Sequence, residues 1–262
     1  MALTAEFINR IFTSSPFLED VTLDNCYWSG GVRHLCSKSL RRLCLFNDED
    51  KHEVNTIIDA PSLIYFNYSG ELCVDYTIEN LNSLSKADIF LDYDYIRNSQ
   101  AVGKFLAGID MAKDLSLFGF RLEWLKNEDV HDPFDELSIF GNLRKLELGY
   151  MLQVEWDMLL DLLYSRPLLG TLVFEEIDWK SILPEEELDP FPPNLKVIEL
   201  IFFSGKQHEM DFIEYCLLNA ELEKLILHKS KEMTVEEELR ISEQLMKIKS
   251  NSDSQHCSIQ LK

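Results

Sequence analysis

One six-residue pattern, Leu-x-x-φ-x-Leu with φ an apolar residue, returns nine times along this chain and limits what it can fold into. The copies start at Leu18, Leu40, Leu63, Leu84, Ala112, Leu143, Leu169, Leu195 and Leu222, with spacings of 22, 23, 21, 28, 31, 26, 26 and 27 residues. The last four positions alternate as a strand does, so φ and the final apolar residue share one face and the residues between them share the other. One such hexamer means little. Nine of them signal stacked repeats, none of which can bury its apolar face alone.

The clearest unit lies between Pro193 and Leu227, where two hexamers bracket an amphipathic stretch with Met210, Ile213, Cys216, Leu217 and Ala220 at helical spacing. It reads as strand, turn, helix, strand. The spacings fit leucine-rich repeats. The predicted fold is therefore an α/β, right-handed leucine-rich-repeat solenoid: a curved parallel sheet with helices and loops on its convex side. Val154, Met158, Leu159, Leu162 and Leu163 predict a second helical return, closed by Ser165-Arg166-Pro167. The first three repeats are short, so their returns are expected to be loops or single turns. Pro16, Pro61, Pro167 and Pro193 stand just before hexamers and are expected to hold the approach to each strand extended. Asp92 to Lys104 and Asp178 to Pro193 read as polar or acidic connections. Thr234-Val-Glu-Glu237 is a capping box opening a helix through Val235, Leu239, Ser242, Leu245, Met246 and Ile248. A strand from His256 to Leu261 follows. Helix and strand together are expected to cap the last repeat. Two regions are drawn on this basis: irregular repeats over 1–183, and the C-terminal repeats and cap over 184–262, continuous with the solenoid.

Composition narrows the function. At 262 residues and 46% hydrophobic, the chain can bury a large core. A formal net charge of −21, from 46 acidic against 25 basic residues, speaks against a nucleic-acid surface, which needs a concentrated basic face. No apolar run reaches the roughly 20 residues of a membrane span, and the start, Met1-Ala-Leu-Thr-Ala-Glu-Phe-Ile-Asn-Arg, has no secretory leader pattern. A cytoplasmic or nuclear location is the expectation. Cys26, Cys36, Cys44, Cys73, Cys216 and Cys257 form no Cys-x-x-Cys pair and are expected as free thiols. No enzyme chemistry, cofactor or metal is predicted. The six histidines show no spacing suited to a nucleophile–base set. Val102-Gly-Lys104 and Ser204-Gly-Lys206 lack the first half of a phosphate loop. Asp129-Val-His131-Asp132 and Glu185-Glu-Glu187 read as solvated loops.

The stretches Ser15 to Cys26, Ile58 to Glu71 and Leu81 to Asp88 resemble the leucine-rich region of plant F-box/LRR-repeat proteins. Pro193 to Leu227, with the helix over Glu236 to Leu245, resembles their C-terminal FBD region. The resemblance implies the substrate-recognition part of an SCF-type ubiquitin-ligase adaptor, which holds a target protein. It also implies an N-terminal F-box that contacts Skp1. Met1 to Pro16 carries neither its Leu-Pro-x-x-Ile/Leu motif nor its basic-Trp motif. Skp1–cullin is therefore expected as a partner only through a longer form, and the alternative is an F-box-less scaffold or decoy that binds without a ligase.

The binding residues are expected on the outward, concave face of the sheet. Alternation assigns to it Asp20, Thr22, Arg42, Phe46, Tyr65, Asn67, Lys86, Asp88, Phe90 and Phe118. Aromatics among charges have the composition of a protein interface. The competing expectation is that these rings pack against neighbouring strands or loops.

Overall fold

Each hexamer becomes a strand at its third position because a tight turn sets its first residue under the sheet. The N–H groups of Leu18, Leu63, Leu84, Ala112, Leu143, Leu169 and Leu195 donate to the carbonyls three residues earlier, at 3.0–3.2 Å. Pro16, Pro61, Pro167 and Pro193 fall at the second position of four of these turns, where a φ preset near −65° suits the geometry. The extended approach expected from the prolines is thus replaced by a turn.

The computed structural model describes residues 2–29, 31–47, 55–70, 72, 76–91, 99–119, 140–149, 159–160, 163–164, 166–175, 191–252 and 256–262. The chain divides into two units, Met1–Leu143 and Arg144–Lys262. The expected boundary at 183/184 lies outside the described residues.

The first unit opens with β1 (Ala2–Thr4), a helix at Ala5–Ser14, β2 (Asp20–Asp24), β3 (Tyr27–Ser29), β4 (Arg33–Cys36) and β5 (Arg42–Asn47). It continues through β6 (Thr56–Asp59), β7 (Tyr65–Gly70), β8 (Tyr76–Glu79), β9 (Lys86–Leu91), a helix at Ser99–Ala107 and β10 (Asp114–Phe118). The hexamer strands pair in parallel in the order β2, β5, β7, β9, β10. The returns of the short repeats are strands too, and β4, β6 and β8 form a second parallel sheet. Loops or single turns had been expected there. A short extended segment spans the distance with few residues and satisfies its backbone groups on its neighbours. The spacing of 28 between Leu84 and Ala112 leaves room for a helix, and Ser99–Ala107 forms one. It overlaps the predicted polar connection, whose residues 92–98 lie outside the described set. Val102, Phe105, Leu106 and Ile109 are buried at helical spacing while Lys104 and Ala107 between them are exposed. Phe105 packs with Phe66, Tyr68 and Tyr76 at ring-centroid distances of 6.0, 5.0 and 5.4 Å. At the other end, the Ala5–Ser14 helix buries Ala5, Ile8 and Phe12. Thr4 Oγ1 caps it by accepting from the Phe7 N–H at 3.2 Å.

The second unit holds β11 (Lys145–Gly149), β12 (Thr171–Glu175), β13 (Val197–Phe203), a helix at Gln207–Asn219, β14 (Lys224–Lys229), a helix at Val235–Asn251 and β15 (Ser258–Leu261). Its five strands also pair in parallel, in chain order. Leu159, Leu160 and Leu163 are buried, while Val154, Met158 and Leu162 of the same predicted return lie outside the described residues. The predicted face of the Gln207–Asn219 helix, Met210, Ile213, Cys216 and Leu217, is buried, and Phe212 joins it against Phe174 at 5.5 Å. Glu209 serves the start of this helix: its carboxylate accepts from the N–H groups of Ser204 at 3.2 Å and Lys206 at 2.8 Å and from the Ser204 hydroxyl at 2.8 Å. The C-terminal capping box is present, with the Thr234 N–H donating to Glu237 at 2.9 Å and the Glu237 N–H donating to Thr234 Oγ1 at 3.3 Å. The Val235–Asn251 helix buries Ile241 and Leu245. Ile241 seats on Gly205, where φ is +69° and any side chain would collide with it. β15 pairs with β14 as the predicted closing strand.

Both units are thus the α/β leucine-rich-repeat organisation expected, with a mixed set of helices and strands behind long parallel sheet. The φ and final positions of the hexamers are buried from Leu23 through Leu227. Only Leu18 and Val21 of the first copy are half-buried.

Candidate protein-binding face

Strand register decides which outward residues meet. In the first unit it lines up Asp20, Arg42, Tyr65, Lys86 and Asp114 as one row across the strands. A second row is Thr22, Cys44, Asn67, Asp88 and Ser116, and a third is Asp24, Phe46, Ser69, Phe90 and Phe118. All ten residues singled out from sequence therefore fall on one face.

The centre of the face is Tyr65. The Arg42 guanidinium lies over its ring at 4.7 Å from the centroid, and the Lys86 ammonium stands 5.7 Å away. Both are within the range where a cation is attracted to the ring face. The Tyr65 hydroxyl donates to Asp88 Oδ2 at 2.7 Å and accepts from the Asn67 amide at 3.1 Å. Lys86 Nζ reaches the same Asp88 oxygen at 3.2 Å, and Arg42 Nε is 3.9 Å from Asp20. Partial burial raises the Tyr65 pKa, and donation to Asp88 adds to the effect. The side chain thus stays a neutral hydrogen-bond donor. Asp88 Oδ1 is buried and has no hydrogen-bond partner among the described residues.

The competing expectation for the rings is met in part. Phe46, Tyr65 and Phe118 are half-buried by their neighbours, and Phe90 is 41% exposed. Sequence alternation found these positions but not the cation–ring–carboxylate network, because it joins residues more than twenty apart. It also passed over the outward residues of β12 and β13. There Glu175, Glu199 and Ile201 face out, and His228 Nε2 lies 3.3 Å from Glu199 Oε2. Phe202 was missed as well. It sits at an irregularity of β13 with φ +59° and 43% exposure, and the run Ile201-Phe202-Phe203, which cannot alternate, was its only signal.

Among the described residues no three His, Cys, Asp or Glu side chains gather to hold a metal, and no helix is long and apolar enough to cross a membrane. Cys26, Cys36, Cys44, Cys216 and Cys257 are free thiols, while Cys73 lies outside the described residues. Asp129 to Asp132 and Glu185 to Glu187 also lie outside them.

Parallel hexamer strands, alternating burial and a polar–aromatic outer face define the class as a leucine-rich-repeat module. Within that class, the homologues of this chain are F-box/FBD/LRR-repeat proteins of Arabidopsis thaliana. One F-box/FBD/LRR-repeat protein is 29% identical over 255 residues, covering 87% of this chain and 54% of the relative. An F-box protein is 28% identical over 270 residues, covering 97% and 60%. An F-box/LRR-repeat protein is 26% identical over 281 residues, covering 97% and 58%. The chain thus spans little more than half the length of these relatives. No family model matches it.

Proposed function

We propose that this chain is a protein-recognition module that holds a target on the outward face of its first unit, as the substrate-binding part of an SCF-type ubiquitin-ligase adaptor does. The observation that carries the reading is the in-register array of Arg42, Tyr65 and Lys86 beside Phe46, Phe90 and Phe118. Rings braced by cations lose little side-chain entropy on docking, and such aromatics serve as anchors at the centre of interfaces. The F-box and LRR-repeat names of the relatives support a protein-interaction module. In the same reading, 184–262 is the FBD-like region, and the direct pairing of β12 with β13 supports taking it as continuous with the repeats before it.

The test is affinity proteomics with the intact chain against Phe90→Ala/Phe118→Ala. The expected result is a target retained by the parent and lost at least tenfold by the double variant, while Glu199→Gln on the second unit keeps it. Equal retention by all three chains would remove the face from the reading. Skp1 among the captured proteins supports the adaptor role. A target captured without Skp1, from cells that make only this chain, assigns the scaffold role instead.

A further inference from the structure

The Val235–Asn251 helix carries two apolar stripes, and only one of them is covered. Ile241 and Leu245 are buried. Val235, Leu239 and Met246 are 83%, 64% and 65% exposed, and with Ser242 they recur at intervals of four, three and four residues along one side of the helix. β15, the strand that follows, pairs only with β14 among the described residues. Terminal elements of a repeat stack ordinarily turn a polar face outward, and here an apolar stripe runs through that face.

A stripe of charges runs beside the exposed stripe at the same intervals, one residue further along: Glu236, Arg240, Glu243 and Lys247. Their signs alternate. None makes an ion pair with a described residue, although Glu236–Arg240 and Glu243–Lys247 stand at helical i, i+4 spacing. Glu237 and Glu238 are otherwise engaged, the first in the capping box and the second with Lys229 at 2.8 Å.

The geometry points to a second copy of this chain as the occupant: we propose that the helix packs antiparallel on its own twin about a two-fold axis passing between residues 241 and 242. That operation sets Glu236 opposite Lys247 and Arg240 opposite Glu243, so every charge in the stripe meets its opposite. It also lays Val235, Leu239 and Met246 of one copy against the matching stripe of the other. Ser242, small and near the axis, lets the helices approach. A two-fold interface must be complementary to itself, and this charge order is so only in the antiparallel sense. A parallel pairing would stack like on like.

Sedimentation velocity of the full chain, in about 0.15 M salt to screen its net negative charge, is expected to show a concentration-dependent dimer. Leu239→Glu/Met246→Glu should weaken it by roughly a hundredfold, with the circular dichroism and melting temperature of the parent because both side chains are exposed. The decisive pair is charge-sorted. Glu236→Lys/Glu243→Lys carries four positive charges in the stripe and Arg240→Glu/Lys247→Glu carries four negative ones. Each should be monomeric alone, and the two should dimerise when mixed. A parent chain that stays monomeric throughout the micromolar range overturns the proposal. So does a dimer indifferent to the apolar substitutions, or a mixture with no preference for opposite charge, which would assign the charges to pairing within each helix.

Discussion

The two units use one strand motif but return from it differently, and the contrast shows what repeat length decides. In the first unit, repeats of 21 to 23 residues return through β4, β6 and β8, and the repeat of 28 returns through the Ser99–Ala107 helix. In the second, spacings of 26 and 27 residues go with the buried helical residues Leu159, Leu160 and Leu163 and with the 13-residue Gln207–Asn219 helix. An extended residue advances about 3.3 Å and a helical one 1.5 Å, so only the longer repeats have residues enough to cross the same distance as a helix. The outer faces differ as well. The first unit shows aromatics bracketed by both charge signs. The second also carries both signs, on Lys145, Glu147, Glu175, Glu199 and Lys224, but its described outward rows place Val197, Ile201 and His228 among them and no Phe or Tyr.

The largest expected effect tests the helical return of the first unit. Phe105→Ala, which empties the space among Phe66, Tyr68 and Tyr76, should cost about 3–5 kcal/mol in denaturant unfolding. A loss under about 1 kcal/mol would show that this helix only rests on the strand returns. Next comes Glu209→Ala in the second unit, where a buried carboxylate answers two N–H groups and a hydroxyl. A loss of roughly 1.5–3 kcal/mol is expected, together with faster amide exchange at Ser204 and Lys206. Unchanged exchange would assign the helix start to backbone geometry alone.

Thr234→Ala should cost about 1 kcal/mol by removing the N-cap acceptor. The companion effect depends on pH. Hydrogen bonds from the Thr234 N–H and hydroxyl favour the charged Glu237 carboxylate and lower its pKa. Its contribution is therefore present above the unfolded-state value of about 4.3 and fades as pH falls through the lower folded value. Glu237→Gln should flatten the acid limb of the stability curve, and an unaltered limb would exclude this carboxylate as its source. The smallest effect is the one that most sharpens the contrast of faces: Phe90→Ala should change stability by less than about 0.5 kcal/mol while weakening target capture. A larger loss of stability would make Phe90 part of the packing and leave the first face with fewer anchors.

Much of this was legible in advance. The alternation in Leu143-Arg-Lys-Leu146-Glu-Leu148 is local and survives folding unchanged, so strands, their buried sides and the ten outward positions could all be read from it. The capping box at Thr234 is local too. The strand returns were not legible, since β4, β6 and β8 are four-residue strands that exist by pairing with one another across repeats. The Ser99–Ala107 helix is obscured because Ser99, Gln100 and Lys104 make its stretch read as a polar connection, and Pro61 predicts an extended approach where the turn from Ala60 to Leu63 sets a bend. The Tyr65 network needed register, which brings β5, β7 and β9 side by side.

By itself the sequence determined the repeated strand, its buried side and the order of the stack, because period-two alternation specifies a face without reference to any partner. Only the tertiary structure decided between equivalent local options. The Val235–Asn251 helix had two apolar stripes to offer, and the stripe with Ile241, seated on Gly205, and Leu245 is the one that is buried. Val235, Leu239 and Met246 were left outside, because burial is a property of what lies opposite a residue and not of the residue.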